Sequence, residues 1–290
     1  MSILRKRKHD ENQPNTVSIT NLSDYSNYEL IGVGRSYWIY SVMRFGHRYL
    51  LRMPVSQERK SFDETTEAVM IQTMGFDWYC SYPPWQRINK LDEVRHYTEK
   101  VVDFGTEPCP WIVTEYSSMD LMTTINSRDA SIHDVIDILR ILDKLREVGI
   151  YLPNLRPEDF RRIGNEWKIS ITALTDHFSN KGEYSPIRRQ EVTQYSAPEQ
   201  ISSGYGEVGP QTAIWRMGII CYMVLAHEDP YNPEEFMEMY KNKRLTPPDF
   251  SRITEEYPEY CEVIKKSLAV DGKDRFSTPG EMAGALCKKR

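Results

Sequence analysis

The 290-residue chain has room for one large domain, or for two lobes sharing a cleft, with a sizeable core. Hydrophobic residues at 40%, charged residues at 27% and a net charge of -5 argue against a broad nucleic-acid surface, and no apolar run reaches the roughly 18 residues that span a bilayer. The five cysteines (Cys80, Cys109, Cys221, Cys261, Cys287) are scattered and odd in number, which reads as reduced thiols rather than a zinc or disulfide framework.

In chain order, residues 1–24 read as a disordered polar tail. Its basic cluster Arg5, Lys6, Arg7, Lys8 is followed by Asp10 and Glu11 instead of a signal-peptide apolar core, so a cytoplasmic location is expected, or a nuclear one in a eukaryote. Nucleic acid is expected to be engaged, if at all, only through these four cations.

From Tyr28 the sequence alternates as a strand, a turn holding Gly32 and Gly34, and a second strand; His47–Pro54 supplies a third that carries Tyr49-Leu-Leu-Arg52. Residues 61–74 have helical spacing (Phe62, Thr65, Val69, Met70, Thr73) with acids in the first turns. Residues 76–100 are longer and more aromatic than a tight connection requires; 79–85 reads as a loop insertion and 85–95 as an extra helix. Val101–Gly105 and 111–116 read as two more strands, joined by a turn with Pro108 and Pro110.

After Asp120 the pattern turns helical. Ile132, Val135, Ile136, Leu139, Leu142 and Leu145 form one stripe of a helix over 132–148, which leads through Gly149 to Tyr-Leu-Pro-Asn-Leu-Arg-Pro-Glu-Asp-Phe at 151–160. A strand is expected within 167–174, Tyr195-Ser-Ala-Pro-Glu199 follows, a helix with Trp215 and Gly218 spans 212–225, and Asp274-Arg275-Phe276 lies near the end.

This order of motifs resembles the eukaryotic-type protein kinases over about residues 25–288. The resemblance implies an α+β, two-lobed fold: a small five-stranded antiparallel sheet plus a helix at 25–116, joined at 115–117 to a larger, mainly helical lobe at 117–290. It places Gly32 and Gly34 in the Gly-rich loop over the phosphates, with Tyr37 in place of its third glycine, and Arg52 in place of the strand Lys of V-A-I-K. Glu67, or Glu64 one turn earlier, is then the acid facing that cation; if 85–95 were the lobe helix instead, Arg87 would fall there. Thr114 becomes the gatekeeper of the cleft, and Glu115 and Tyr116 the hinge that offers backbone groups to an adenine ring. Glu199 closes the A-P-E motif and Arg275 is its expected ion-pair partner.

The chemistry departs from the frame. Against H-R-D-L-x-x-x-N, Leu152 stands for the His, Pro153 for the Arg, Asn154 for the catalytic Asp and Asp159 for the metal-binding Asn. Against D-F-G stand Ile171, Thr172 and Ala173, and Ala213 replaces the Asp that props the catalytic loop. An amide is no base near neutral pH, Ile171 offers Mg²⁺ no oxygen, and Arg52 is bulkier and more forked than an ammonium. Tyr37 and Trp38 crowd the phosphate end.

The expectation is therefore a catalytically inactive kinase-like domain, a pseudokinase. It would regulate or scaffold a protein partner, an active kinase or its substrate, without metal or cofactor; weak, metal-independent ATP binding is the most the cleft is expected to allow. The alternative is a divergent nucleotide-dependent protein kinase or nucleotidyl transferase with Asp159 and Asp176 as replacement acids. Ser179, Tyr184, Ser185 and Thr193 are exposed hydroxyls open to phosphorylation.

Overall fold

The computed structural model describes residues 22–33, 37–54, 95–105, 111–173 and 193–288. Gly34, Glu64, Glu67, Asp176, Ser179, Tyr184, Ser185, the cluster Arg5, Lys6, Arg7, Lys8, the helix expected at 61–74, the insertion at 79–85 and all but the last residue of 85–95 lie outside these residues.

Aromatic and β-branched residues are most frequent in β2, β4 and β5 of the small lobe, whose strands are β1 (Ser26–Val33), β2 (Tyr37–Arg44), β3 (His47–Pro54), β4 (Val101–Gly105) and β5 (Trp111–Glu115). They pair antiparallel in the order β1-β2-β3-β5-β4. The β2–β3 register pairs Arg44 with His47, leaving Phe45 and Gly46 as a two-residue turn with φ of 50° and 78°. Two positive φ values are what a type I′ hairpin turn requires, and its twist matches the flanking strands.

The period of two divides the sheet. Leu51 of β3 and Val113 of β5 join Tyr25, Val42 and Trp111 in an outer cluster, while Leu50, Arg52, Ile112 and Thr114 lie on the opposite face. Arg52, an ionised residue on a buried strand, is thereby aimed at the large lobe. Gly105 is needed for packing, because a Cβ there would stand 2.6 Å from the Trp111 ring.

One boundary moves. Leu22–Asp24, expected in the polar tail, form a 3-10 turn, and Leu22 packs on the outer cluster. The Tyr28 hydroxyl donates to the Leu22 carbonyl at 2.7 Å. An apolar side chain with an anchored carbonyl belongs to the folded lobe, whatever the polarity of its neighbours.

In the large lobe, β6 (Met119–Asp120), β7 (Phe160–Ile163) and β8 (Glu166–Ile169) make a second small sheet. Numbered among the described residues, the helices are α1 (Leu121–Asn126), α2 (Ile132–Glu147), α3 (Pro198–Ile201), α4 (Pro210–Ala226), α5 (Pro233–Lys241), α6 (Ser251–Glu256), α7 (Pro258–Ser267) and α8 (Pro279–Cys287). Ser131 and Asp134 form a capping box at the start of α2, whose stripe Val135, Ile138, Leu139, Leu142 and Leu145 is buried. Every residue of α4 from Thr212 to Ala226 is buried, as expected of a mostly apolar helix, with Arg216 the one charged side chain in that span. Gly218 lets α7 approach it: a Cβ would come within 2.9 Å of Ser267 and Leu268.

The result is an α+β molecule with a five-stranded antiparallel sheet and a helical C-terminal part, the two-lobe arrangement of a protein kinase. Among the described residues no helix is long and apolar enough to cross a membrane.

Candidate functional site: the cleft between the lobes

Arg52 is fully buried and its guanidinium is heavily engaged. Its Nη2 donates to both oxygens of Glu99, at 2.8 and 3.0 Å, and to Ser170 Oγ at 3.3 Å; its Nη1 donates to Thr114 Oγ1 at 2.8 Å. Both Arg52 and Glu99 side chains are 0% exposed, so the pair is worth keeping only because its hydrogen bonds are made. Glu99 Oε2 also accepts from Ser170 Oγ at 3.1 Å and from the Ile171 amide at 3.0 Å.

The acid on Arg52 is thus one that the sequence reading passed over. The signal was partial: Glu99 and Val101, two positions apart at the entry to β4, are both buried on the inner side, whereas a bulge between Val101 and Asp103 turns Asp103 to the outer face, where it meets Tyr25 and Arg44. A kinase template directs attention to a helix instead, to Glu64 or Glu67.

Tyr37, at the start of β2, donates from its phenol to Thr172 Oγ1 across the cleft at 2.9 Å. Burial pushes this phenol above its ordinary pKa, against the opposing field of Arg52, so it stays protonated at neutral pH. Gly32 on β1 is roomier than the Gly-rich comparison suggests, a Cβ there meeting only Ile39 at 3.7 Å.

Ser170 and the turn 171–173 follow β8. Ile171 is 1% exposed and packs in the main core, while Thr172 Oγ1 lies 2.9 Å from Ser170 Oγ. At the hinge, Glu115 accepts from the Lys100 amide at 2.8 Å and from Lys168 Nζ of the large lobe at 2.9 Å. Arg48 lies over the Tyr116 ring at 5.4 Å, and Arg161 reaches Asp120 at 3.4 Å.

The loop at 151–160 keeps its frame by different means. Leu152 and Leu155 are buried apolar anchors. Asp159 Oδ2 accepts from the Arg156 amide at 2.8 Å, capping the turn Pro157–Asp159, so this carboxylate is occupied in holding the loop. Ala213 cannot prop the loop; Arg216, one turn later on α4, does so through Nη1 to the Leu155 carbonyl at 3.1 Å. Its Nη2 donates to Gln200 Oε1 at 2.9 Å, and Gln200 Nε2 donates to Asn154 Oδ1 at 3.0 Å. Neither Gln200 nor Arg216 stood out in the sequence, since each becomes a partner only when α3 and α4 are packed against the loop.

Glu199 and Arg275 meet as a buried fork, Nη1 to Oε1 at 2.8 Å and Nη2 to Oε2 at 2.9 Å, with Thr212 Oγ1 donating to Glu199 at 2.7 Å. The Arg275 guanidinium also lies over the Trp215 ring at 5.1 Å. Thr193 Oγ1 accepts from the Tyr195 amide at 3.3 Å. Among the described residues no group of three or more His, Cys, Asp or Glu side chains is placed to hold a metal ion.

No family model matches the chain. Comparison with curated proteins finds protein kinases at low identity over partial stretches. The chain is 36% identical over 90 residues to the 3-phosphoinositide-dependent protein kinase 1 of Caenorhabditis elegans, covering 31% of this chain and 13% of that protein. It is 30% identical over 93 residues to the serine/threonine-protein kinase PknD of Chlamydia muridarum, covering 32% and 10%. To the CBL-interacting serine/threonine-protein kinase 5 of Arabidopsis thaliana it is 29% identical over 158 residues, covering 52% and 34%. The matches span 10 to 34% of these relatives' own lengths. Partial kinase matches on a two-lobed α+β fold support a protein-kinase-like domain.

Proposed function

We propose that this kinase-like domain is a non-catalytic binding module, regulating or scaffolding a protein partner such as an active kinase or its substrate. The observation that carries the reading is the engagement of Arg52. Phosphoryl transfer depends on positioned charge: a cation on the phosphates, metal ions bridging them, and a base on the attacking hydroxyl. Here the third-strand cation is bound by Glu99, Thr114 and Ser170. An acid on this cation is part of the kinase arrangement; what differs is that both terminal nitrogens of Arg52 are also taken up by Thr114 and Ser170, bonds that a phosphate would have to displace.

The other positions support the same reading. Ile171 has no oxygen side chain, Asp159 caps its own loop, and the Asn154 amide is held by Gln200. These residues do not make the ligand set of a Mg²⁺–nucleotide complex, which needs hard oxygen donors. The hinge residues Thr114, Glu115 and Tyr116 leave weak, metal-independent adenine binding as the most the cleft would retain.

A thermal-shift titration with ATP tests the proposal. A ligand at 100 times its Kd stabilises a fold by about 2.7 kcal/mol, a readily seen shift. Little movement of the midpoint is expected, and no more with Mg²⁺ than with chelator. A rise of several degrees that requires Mg²⁺, or phosphate incorporation into protein, would favour a divergent transferase that uses Asp159 and Asp176.

A further inference from the structure

The segment Ser170, Ile171, Thr172 belongs to the large lobe, yet the small lobe grips it at two places. Tyr37 of β2 holds Thr172, and Glu99, just before β4, holds Ser170 and the Ile171 amide. The Glu99 amide also donates to the Ile169 carbonyl at 2.9 Å, so the second grip includes backbone. Between the grips, the Thr172 and Ser170 hydroxyls touch at 2.9 Å.

The proton order along this chain follows from its ends. A carboxylate only accepts, so Ser170 donates to Glu99; Thr172 then donates to Ser170 and accepts from Tyr37. All the hydroxyls point one way, an arrangement in which each bond polarises the next. Arg52 fixes the accepting end by holding both Glu99 oxygens in place.

We propose that Tyr37, Thr172, Ser170 and Glu99 form an interlobe latch that closes the cleft with the protein's own side chains and opens as one local unit. In two-lobed proteins closure around a ligand commonly supplies the contacts that bring the lobes together. Here the closing contacts are internal. The inference rests on the proposed non-catalytic reading in one respect, that the Tyr37 phenol stands on ground that nucleotide phosphates would need.

Amide hydrogen exchange of the full chain, followed by NMR at increasing low denaturant, tests the latch. In the wild type the amides of Glu99, Ser170 and Ile171 should exchange through an opening with small denaturant dependence, distinct from the global opening that exposes α2. Tyr37→Phe should speed that exchange roughly three- to tenfold, the effect of one net hydrogen bond on an opening equilibrium. Thr172→Val should do at least as much, and adding Tyr37→Phe to it should change nothing further; Thr172→Ser, which keeps the hydroxyl, should behave as wild type.

Exchange of the three amides only through the global opening, or rates indifferent to Tyr37→Phe, would overturn the latch. So would the same multiplication by Tyr37→Phe in the wild-type and Thr172→Val backgrounds, because the two groups would then not act on each other. Mg²⁺-dependent nucleotide binding would overturn the non-catalytic reading with the exchange result intact, so the two failures are distinguishable.

Discussion

Two buried arginine–glutamate forks, one in each lobe, behave differently as evidence. Arg275 and Glu199 tie Tyr195-Ser-Ala-Pro-Glu199 to the late helices through the ion pair expected of them. Arg52 lies on the third strand, but its acid is Glu99 and its neighbours are Thr114 and Ser170. A cation can keep its place while its partners change. What the comparison teaches is that the large lobe preserves contacts that hold it together, whereas in the cleft the same kind of residue is turned to holding the lobes to each other.

The largest expected effect breaks the first fork. Glu199→Ala leaves Arg275 buried with its charge uncompensated and should cost about 3–5 kcal/mol, read as a lowered urea midpoint at unchanged denaturant slope. A cost under about 1 kcal/mol would mean that the Gln211, Ala269 and Val270 carbonyls, which Arg275 also meets, suffice for it.

Next comes the cleft. Glu99→Gln keeps the shape but removes the charge facing Arg52, so about 1.5–3 kcal/mol should be lost, the range for hydrogen bonds to charged groups. Replacing both partners, as Arg52→Met with Glu99→Leu, should recover much of that loss, because no buried charge is left unpaired. If the double variant is worse than Glu99→Gln, the pair contributes more than mutual compensation and the comparison between the forks sharpens.

A smaller effect concerns Asp134 at the head of α2. Burial raises its pKa, but hydrogen bonds from Trp167 and Ser131 and the charge of Arg162 outweigh this, and the carboxyl is held below its usual range. Its folded-state pKa is thus below its unfolded value. The stability it contributes is fully present above the unfolded pKa and is lost as pH falls through the folded one. Asp134→Asn should cost about 1 kcal/mol at neutral pH, and the gap to wild type should close as the solution is acidified below about pH 4. An unchanged gap at low pH would show that shape, not charge, caps the helix.

The smallest expected effect is none at all. Asn154→Asp should give no phosphate transfer, since catalytic groups that act as a unit are grossly non-additive and Ile171 and Arg52 remain. Transfer by this single variant would undo the contrast, because the cleft would then have kept its chemistry.

Legibility followed the range of the interactions. The strands β3 and β4 and the stripe of α2 were readable because alternation and helical periodicity are local and each sets a buried face. The polar-tail boundary failed by three residues because Leu22 is held by a side chain six positions away, in a strand. Glu99 was missed although it lies two positions before the buried Val101, since alternation says that a residue is buried and not what it meets.

By itself, the sequence determined the order of the described elements and the two-lobe plan, because these depend on side-chain chemistry and on periods of two and 3.6 residues. Tertiary structure alone decided that Glu99 takes Arg52, that Arg216 and Gln200 replace the missing loop prop, and that Tyr37 meets Thr172. Those partners are separated by 47, 61 and 135 positions where the hydrogen bonds join Arg52 to Glu99, Arg216 to Leu155 and Tyr37 to Thr172. No local period extends so far, and burial forces each polar group to find whichever partner the packed lobes bring within reach.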